Sequence, residues 1–111
     1  MPLASCLPIT TIFNANLLMF LYVIAYDIPC NKRRKKVADL LEGYGQRVQY
    51  SVFECQLSTE KYQDLRRQLR KKLKLEEDNV RFYPLSRHTL SQVETWGVGI
   101  PVIEPPSSII I

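Results

Sequence analysis

Two patterns of apolar residues alternate along the chain, unbroken runs and positions recurring every three or four residues, and they predict different elements. Residues 20–26 (FLYVIAY) are apolar throughout and rich in β-branched and aromatic side chains, which predicts a central strand buried on both faces and closed by Asp27-Ile28-Pro29. Asn31 is then placed to cap a helix in which Val37, Leu40, Leu41 and Tyr44 form one apolar stripe, ended by Gly43 and Gly45. Residues 47–57 (RVQYSVFECQL) are strong strand formers, either as one long strand or as two short ones meeting near Tyr50-Ser51; periodicity leaves both open. Ser58 predicts the cap of a second helix, with Glu60 in its first turn and Tyr62, Leu65, Leu69 and Leu73 as its buried stripe. Residues 79–85 (NVRFYPL) predict a third strand region, with Pro84 marking its end or a sheet edge.

Beyond Ser86 the pattern loosens. Residues 89–96 suit a short strand, and Gly97, Gly99, Pro101, Pro105 and Pro106 are loop signals. The last five residues end in three isoleucines, an apolar end that needs burial at the edge of its own sheet or a partner's. Strand, helix, strand or strands, helix, strand is the order of a split βαβ, ferredoxin-like α+β sandwich, with two helices on one sheet face. The other face also needs a cover, which argues for a homodimer.

With 111 residues the chain fits one domain, and 46% hydrophobic with 23% charged residues excludes wholesale disorder and coiled coil. Residues 1–26 carry no charge, yet the unbroken apolar run is only 17–26, half of what a spanning helix needs, so no membrane role is expected. Met19 stands directly before the first strand pattern. The domain is therefore expected over residues 19–111, with 1–18 a non-essential extension and residues from about 97 a tail that packs on its own sheet edge or a partner's. Cys6, Cys30 and Cys55 contain no CxxC pair and leave one thiol unmatched, which fits a reduced, cytoplasmic protein, and a single His makes structural zinc implausible.

Charge is where function becomes legible. The net charge is +4, but 13 of the 15 Lys and Arg lie between Lys32 and Lys74, which points to an anionic partner such as nucleic acid. On the second helix Arg67, Arg70, Lys71 and Lys74 lie opposite the leucine stripe, as an ordinary solvated face would place them, near the end that the helix dipole favours. The first helix is different. Lys32, Arg33, Arg34, Lys35 and Lys36 crowd its first turn, where the macrodipole is already positive, and a bound phosphate would offset that cost. Arg33 falls inside the apolar arc. Because helical side chains lean towards the N-terminus, its guanidinium is expected near the end of the first strand, where Asp27 sits.

Asp27 is the first charge in the chain and closes a buried strand, a common ligand position. From spacing alone, a turn role or an ion pair with Arg33 or Arg34 explains it slightly better. One carboxylate is a poor Mg²⁺ site, but a two-fold axis at this tip would bring two copies together, and the pair could hold Mg²⁺ (or Mn²⁺) for phosphodiester cleavage. Glu54 lies within a strand, Glu76, Glu77 and Asp78 cluster in a turn, and His88 stands alone in a loop.

The segment from Leu21 to Pro29, a basic helix ending Gly43-Tyr44-Gly45, and the segment from Gln46 to Glu54 together resemble the small CRISPR-associated endoribonuclease family, over about residues 19–85. The resemblance implies a ferredoxin-like homodimer whose C-terminal strand crosses to the partner's sheet, a split of residues 47–57 into two strands, and a CRISPR-associated integrase as partner in spacer acquisition. It places a divalent metal on Asp27 at the dimer interface and activity-linked roles on Tyr26, Arg34, Arg47 and Phe53. Lys36 stands where some members have Arg, keeping the charge without the bidentate fork. Two roles follow from it: metal-dependent cleavage of single-stranded RNA or duplex DNA, and a non-catalytic scaffold that bridges integrase dimers and grips the DNA. A toxin-type RNA interferase of similar fold is a further alternative. A plain RNA-recognition module fits poorly, since the first strand is too apolar for an exposed base-stacking strand and the K/R-G-F/Y signature is missing.

Overall fold

The computed structural model describes residues 19–102. Seven elements follow in order: β1 (Phe20–Asp27), α1 (Asn31–Glu42), β2 (Gln46–Gln49), β3 (Val52–Leu57), α2 (Thr59–Lys72), β4 (Asn79–Leu85) and the single-turn helix α3 (Arg87–Leu90). The sheet order is β2-β3-β1-β4, with every neighbouring pair antiparallel. This is the ferredoxin-like α+β sandwich that the element order predicts. The expected extension over 1–18 and the isoleucine tail, which covers 107–111, lie outside the described residues, as does the predicted C-terminal strand that would contain that tail.

The core forms where strand alternation and the two helical stripes coincide. Tyr22, Ile24 and Tyr26 alternate onto the helix-covered face of β1, and Ile24 stands between Phe53 of β3 and Phe82 of β4. Ile24, Val37, Leu41, Phe53 and Leu65 are fully buried, and each such side chain contributes about 1.5–3 kcal/mol of burial free energy. Tyr62 of α2 stacks on Tyr22 with centroids 3.8 Å apart and meets Phe82 edge-on, which seats α2 on the sheet. The Tyr44 hydroxyl donates to Asp64 at 2.5 Å and ties the end of α1 to α2. Gly45 passes so close to β3 that a Cβ there would lie 2.3 Å from the Glu54 carbonyl oxygen, so no larger residue fits.

Local departures from the sequence reading have local causes. Residues 46–57 form two strands joined by a turn at Tyr50-Ser51, one of the two expected arrangements and the split that the resemblance implies, with a register irregularity between Arg47 and Gln49. Cys30, not Asn31, is the N-cap of α1, and the Asn31 side chain instead accepts from Arg34. Ser58 does cap α2, accepting from the Lys61 amide. That helix stops at Lys72, so Lys74 belongs to the following turn and not to the helical face. Instead of a strand over 89–96 there is α3: the Ser86 side chain accepts from the Thr89 amide and starts a helical turn, which buries Leu90. Nor is β1 buried on both faces within the protomer. Val23 and Ala25, on the face away from α1 and α2, are half-buried.

Candidate functional site

The tip of β1 and the first turn of α1 create the site. The Arg34 amide closes the first helical bond on the Cys30 carbonyl at 2.9 Å, which fixes where the crowded cations project. Arg34 donates through Nη1 to the Ile28 carbonyl at 3.2 Å and through Nη2 to Asn31. Both acceptors are neutral, so the guanidinium is oriented while its charge stays uncompensated.

Arg34 lines a cleft of about 460 Å³ with Tyr26, Arg47 and Tyr50, while Asp39 and Glu42 lie along α1 at the same cleft. The Arg47 guanidinium lies over the Phe53 ring at 5.3 Å from its centroid, and Phe53 in turn faces Tyr26 at 6.3 Å. Phe53 is fully buried, so it supports Arg47 from below and touches nothing in solution. Burial raises the pKa of the Tyr26 phenol above its ordinary value, against the lowering effect of the nearby Arg47 and Arg34 charges. It therefore stays a protonated donor at neutral pH.

The structure thus brings together four of the five residues that the resemblance singles out: Tyr26, Arg34, Arg47 and Phe53. Asp27 is exposed, and by strand alternation it faces the opposite side from Tyr26, across from Asn79 of β4. Among the described residues no group of three or more His, Cys, Asp or Glu could hold a metal ion. The chain offers Asp27 as one accessible carboxylate at this tip, which leaves most of an octahedral Mg²⁺ shell to other donors.

The reading of Arg33 is corrected. Its guanidinium does not go to Asp27. Nε and Nη2 donate to the two oxygens of Asp78 at 2.8 and 2.9 Å, and Nη2 also reaches Glu77 at 2.9 Å. The Asp78 side chain is fully shielded and accepts as well from the Lys74 amide at 2.9 Å. The Arg33 fork holds the Asp78 carboxyl below its ordinary pKa against the opposing effect of burial. Arg33 thus keeps its place on the apolar arc because a carboxylate 45 positions away fills the gap in the core wall. Asp78 is the residue that sequence reasoning passed over. The acidic triplet ahead of β4 was its only signal.

The other cations divide in the same way. Lys35 pairs with Asp39 at 3.0 Å, Arg67 with Asp64 at 3.2 Å and Lys74 with Glu77 at 3.7 Å. Among the described residues Lys32, Arg34, Lys36, Arg47, Arg70 and Lys71 have no carboxylate partner. Glu54 carries a buried oxygen without a hydrogen-bond partner, and burial raises its pKa. It lies on the helix-free face opposite Val23.

Fold and charge together define a small ferredoxin-like α+β protein with an arginine-lined cleft at one strand tip. The chain belongs to the CRISPR-associated Cas2 family, whose model matches residues 19–93. It is 66% identical over 93 residues to CRISPR-associated endoribonuclease Cas2 3 of Synechocystis, covering 84% of this chain and all of that one. It is 52% identical over 79 residues to CRISPR-associated endonuclease Cas2 2 of Thermus thermophilus, covering 71% and 83%. Among solved structures, a chain of a partial Cas6-RT-Cas1–Cas2 complex superposes with a TM-score of 0.62 at 37% identity, covering 69% of this chain and 90% of that one. No helix among the described residues is long and apolar enough to cross a membrane.

Proposed function

We propose that this chain acts in the spacer-acquisition stage of CRISPR defence as a homodimeric, metal-dependent phosphodiesterase on single-stranded RNA or duplex DNA, with a CRISPR-associated integrase as its partner. The observation that carries this reading is the convergence in one cleft of two guanidiniums without carboxylate partners, Arg34 and Arg47, with a protonated phenol, Tyr26, while Asp27 stands exposed at the same strand tip on the other side of the sheet. Related chains named endoribonuclease and endonuclease support the chemistry, and the likeness to a chain of a Cas1–Cas2 complex supports the partner.

In this reading the helix-free sheet face meets a second copy and the two Asp27 carboxylates come to share one Mg²⁺ or Mn²⁺. The ion, when bound, supplies Lewis-acid polarisation of a phosphoryl oxygen. The rest falls to the chain itself. Arg34 and Arg47 hold a neighbouring phosphate of the same strand by charge-assisted hydrogen bonds, and Tyr26 Oη donates to one of its oxygens. Phe53 keeps Arg47 extended over the strand. Lys32 and Lys36 draw the polyanion along α1.

A second reading is favoured by the solitary state of Asp27: the protein is a scaffold that grips duplex DNA between integrase dimers without cutting it. Replacing Asp27 with Ala decides between them, with nuclease activity and integrase-dependent spacer integration assayed separately. The catalytic reading expects cleavage to be abolished while duplex affinity is kept. Intact integration by a cleavage-dead variant assigns the biological role to the scaffold, and unchanged cleavage sinks the metal-centred mechanism.

A further inference from the structure

The turn between β2 and β3 carries an aromatic ring where turn chemistry favours Gly, Asn, Asp or Ser. Tyr50 is 74% exposed and lines the same cleft as Tyr26, Arg34 and Arg47. Its turn is held in place, since the Tyr26 amide donates to the Ser51 carbonyl at 3.1 Å. Among the described residues no hydrogen bond or aromatic contact occupies the ring itself. Along α1, Asp39 and Glu42 disfavour a second phosphate in the cleft, which leaves room for one phosphate at the arginines and one uncharged group beside them.

From this we infer that Tyr50 is a base-stacking residue, receiving the nucleobase next to the phosphate that Arg34 and Arg47 hold. The inference rests on the phosphate-gripping reading above and adds a subsite to it. A phenol ring offers one π-face to any base, so the subsite is tolerant of sequence. It discriminates by pairing instead: a base inside a duplex already has both faces stacked, whereas an unpaired base is free to use the ring. A register irregularity between Arg47 and Gln49 comes directly before Tyr50, at the turn where the ring joins the lining of the cleft.

The test uses the full chain, unsubstituted and as Tyr50→Ala and Tyr50→Trp, titrated by fluorescence anisotropy with three probes: a short single-stranded oligothymidylate, an abasic strand of equal length and a blunt duplex. Thermal melts of all three proteins check folding, which an exposed turn side chain leaves intact. Tyr50→Ala is expected to weaken the base-bearing single strand by about tenfold while leaving the abasic strand and the duplex unchanged, and Tyr50→Trp is expected to restore or tighten it. Equal loss on abasic and base-bearing strands, or no loss on either, overturns the stacking role and leaves the phosphate grip standing. Failure of the unsubstituted chain to bind any of the three probes overturns the grip and the stacking role together.

Discussion

Arg33 and Arg34 are adjacent in sequence and opposite in what the fold does with them, so exchanging each for Gln separates structural from ligand-facing charge. Four cations near the start of α1 and on β2 lack a carboxylate partner: Lys32, Arg34, Lys36 and Arg47. If each neutralises one phosphate of duplex DNA, the slope of log affinity against log salt is about −3.6. Arg34→Gln removes one contact and moves the slope to about −2.7, which corresponds to a salt penalty roughly 3.5-fold smaller between 50 and 200 mM. Its melting temperature should hold or rise, because a cation leaves the positive end of a helix dipole. Arg33→Gln should leave the slope untouched and lower the melting temperature, since it strands the shielded Asp78 carboxylate without its fork. Anisotropy titrations over that salt range, paired with thermal melts, read both quantities. An Arg33→Gln slope change as large as that of Arg34→Gln would refute the assignment, and so would an Arg34→Gln variant with an unaltered slope.

Two further outcomes follow from the same coordinates. The folded-state pKa of Asp78 lies below its unfolded value, so below that unfolded value the unfolded chain binds more protons, and the stability this group contributes is present above the ordinary carboxylate range and lost as pH falls through it. Melting temperatures from neutral to strongly acidic pH should therefore fall less steeply for Asp78→Asn than for the unsubstituted chain, although the variant starts lower. Thiol chemistry should also split: Cys30, whose pKa is lowered chiefly by the Arg33 amide and also by that of Lys32, should alkylate readily at mildly alkaline pH. Cys55, buried and pushed up to about 12, should react only after denaturation, as peptide mapping by mass spectrometry would show.

Much of this architecture could be read from residue types, and the exceptions have separate physical causes. The β1 run, the stripes through Val37 and Leu41 and through Leu65 and Leu69, and the Ser58 cap are local patterns, and each became the element it implies. The partnership of Arg33 with Asp78 spans 45 positions and depends on where β4 enters the sheet, which no window of sequence contains. The Ser86 cap outweighed strand propensity over 89–96 because a single side-chain bond to the Thr89 amide is enough to start one helical turn. At the site, Tyr26, Arg34, Arg47 and Phe53 were named from family likeness. That Phe53 acts only beneath Arg47 became visible with burial. Sequence marks Tyr50 only as a turn position, because exposure of an aromatic cannot be read from its neighbours along the chain.

The clamp between Arg33 and Asp78 reshapes what a polyanion meets at the surface. Five consecutive basic residues suggest a continuous ridge of positive potential, but the second of them is turned inward and already satisfied. Neighbours on a helical face lie three or four residues apart, and Lys35 is paired with Asp39, so the cations that share a face of α1 without a carboxylate partner are Lys32 and Lys36, one turn apart. Arg33, held by Asp78, has no free charge to offer a polyanion, so in the proposed function the fold sets which basic residues can serve as contacts.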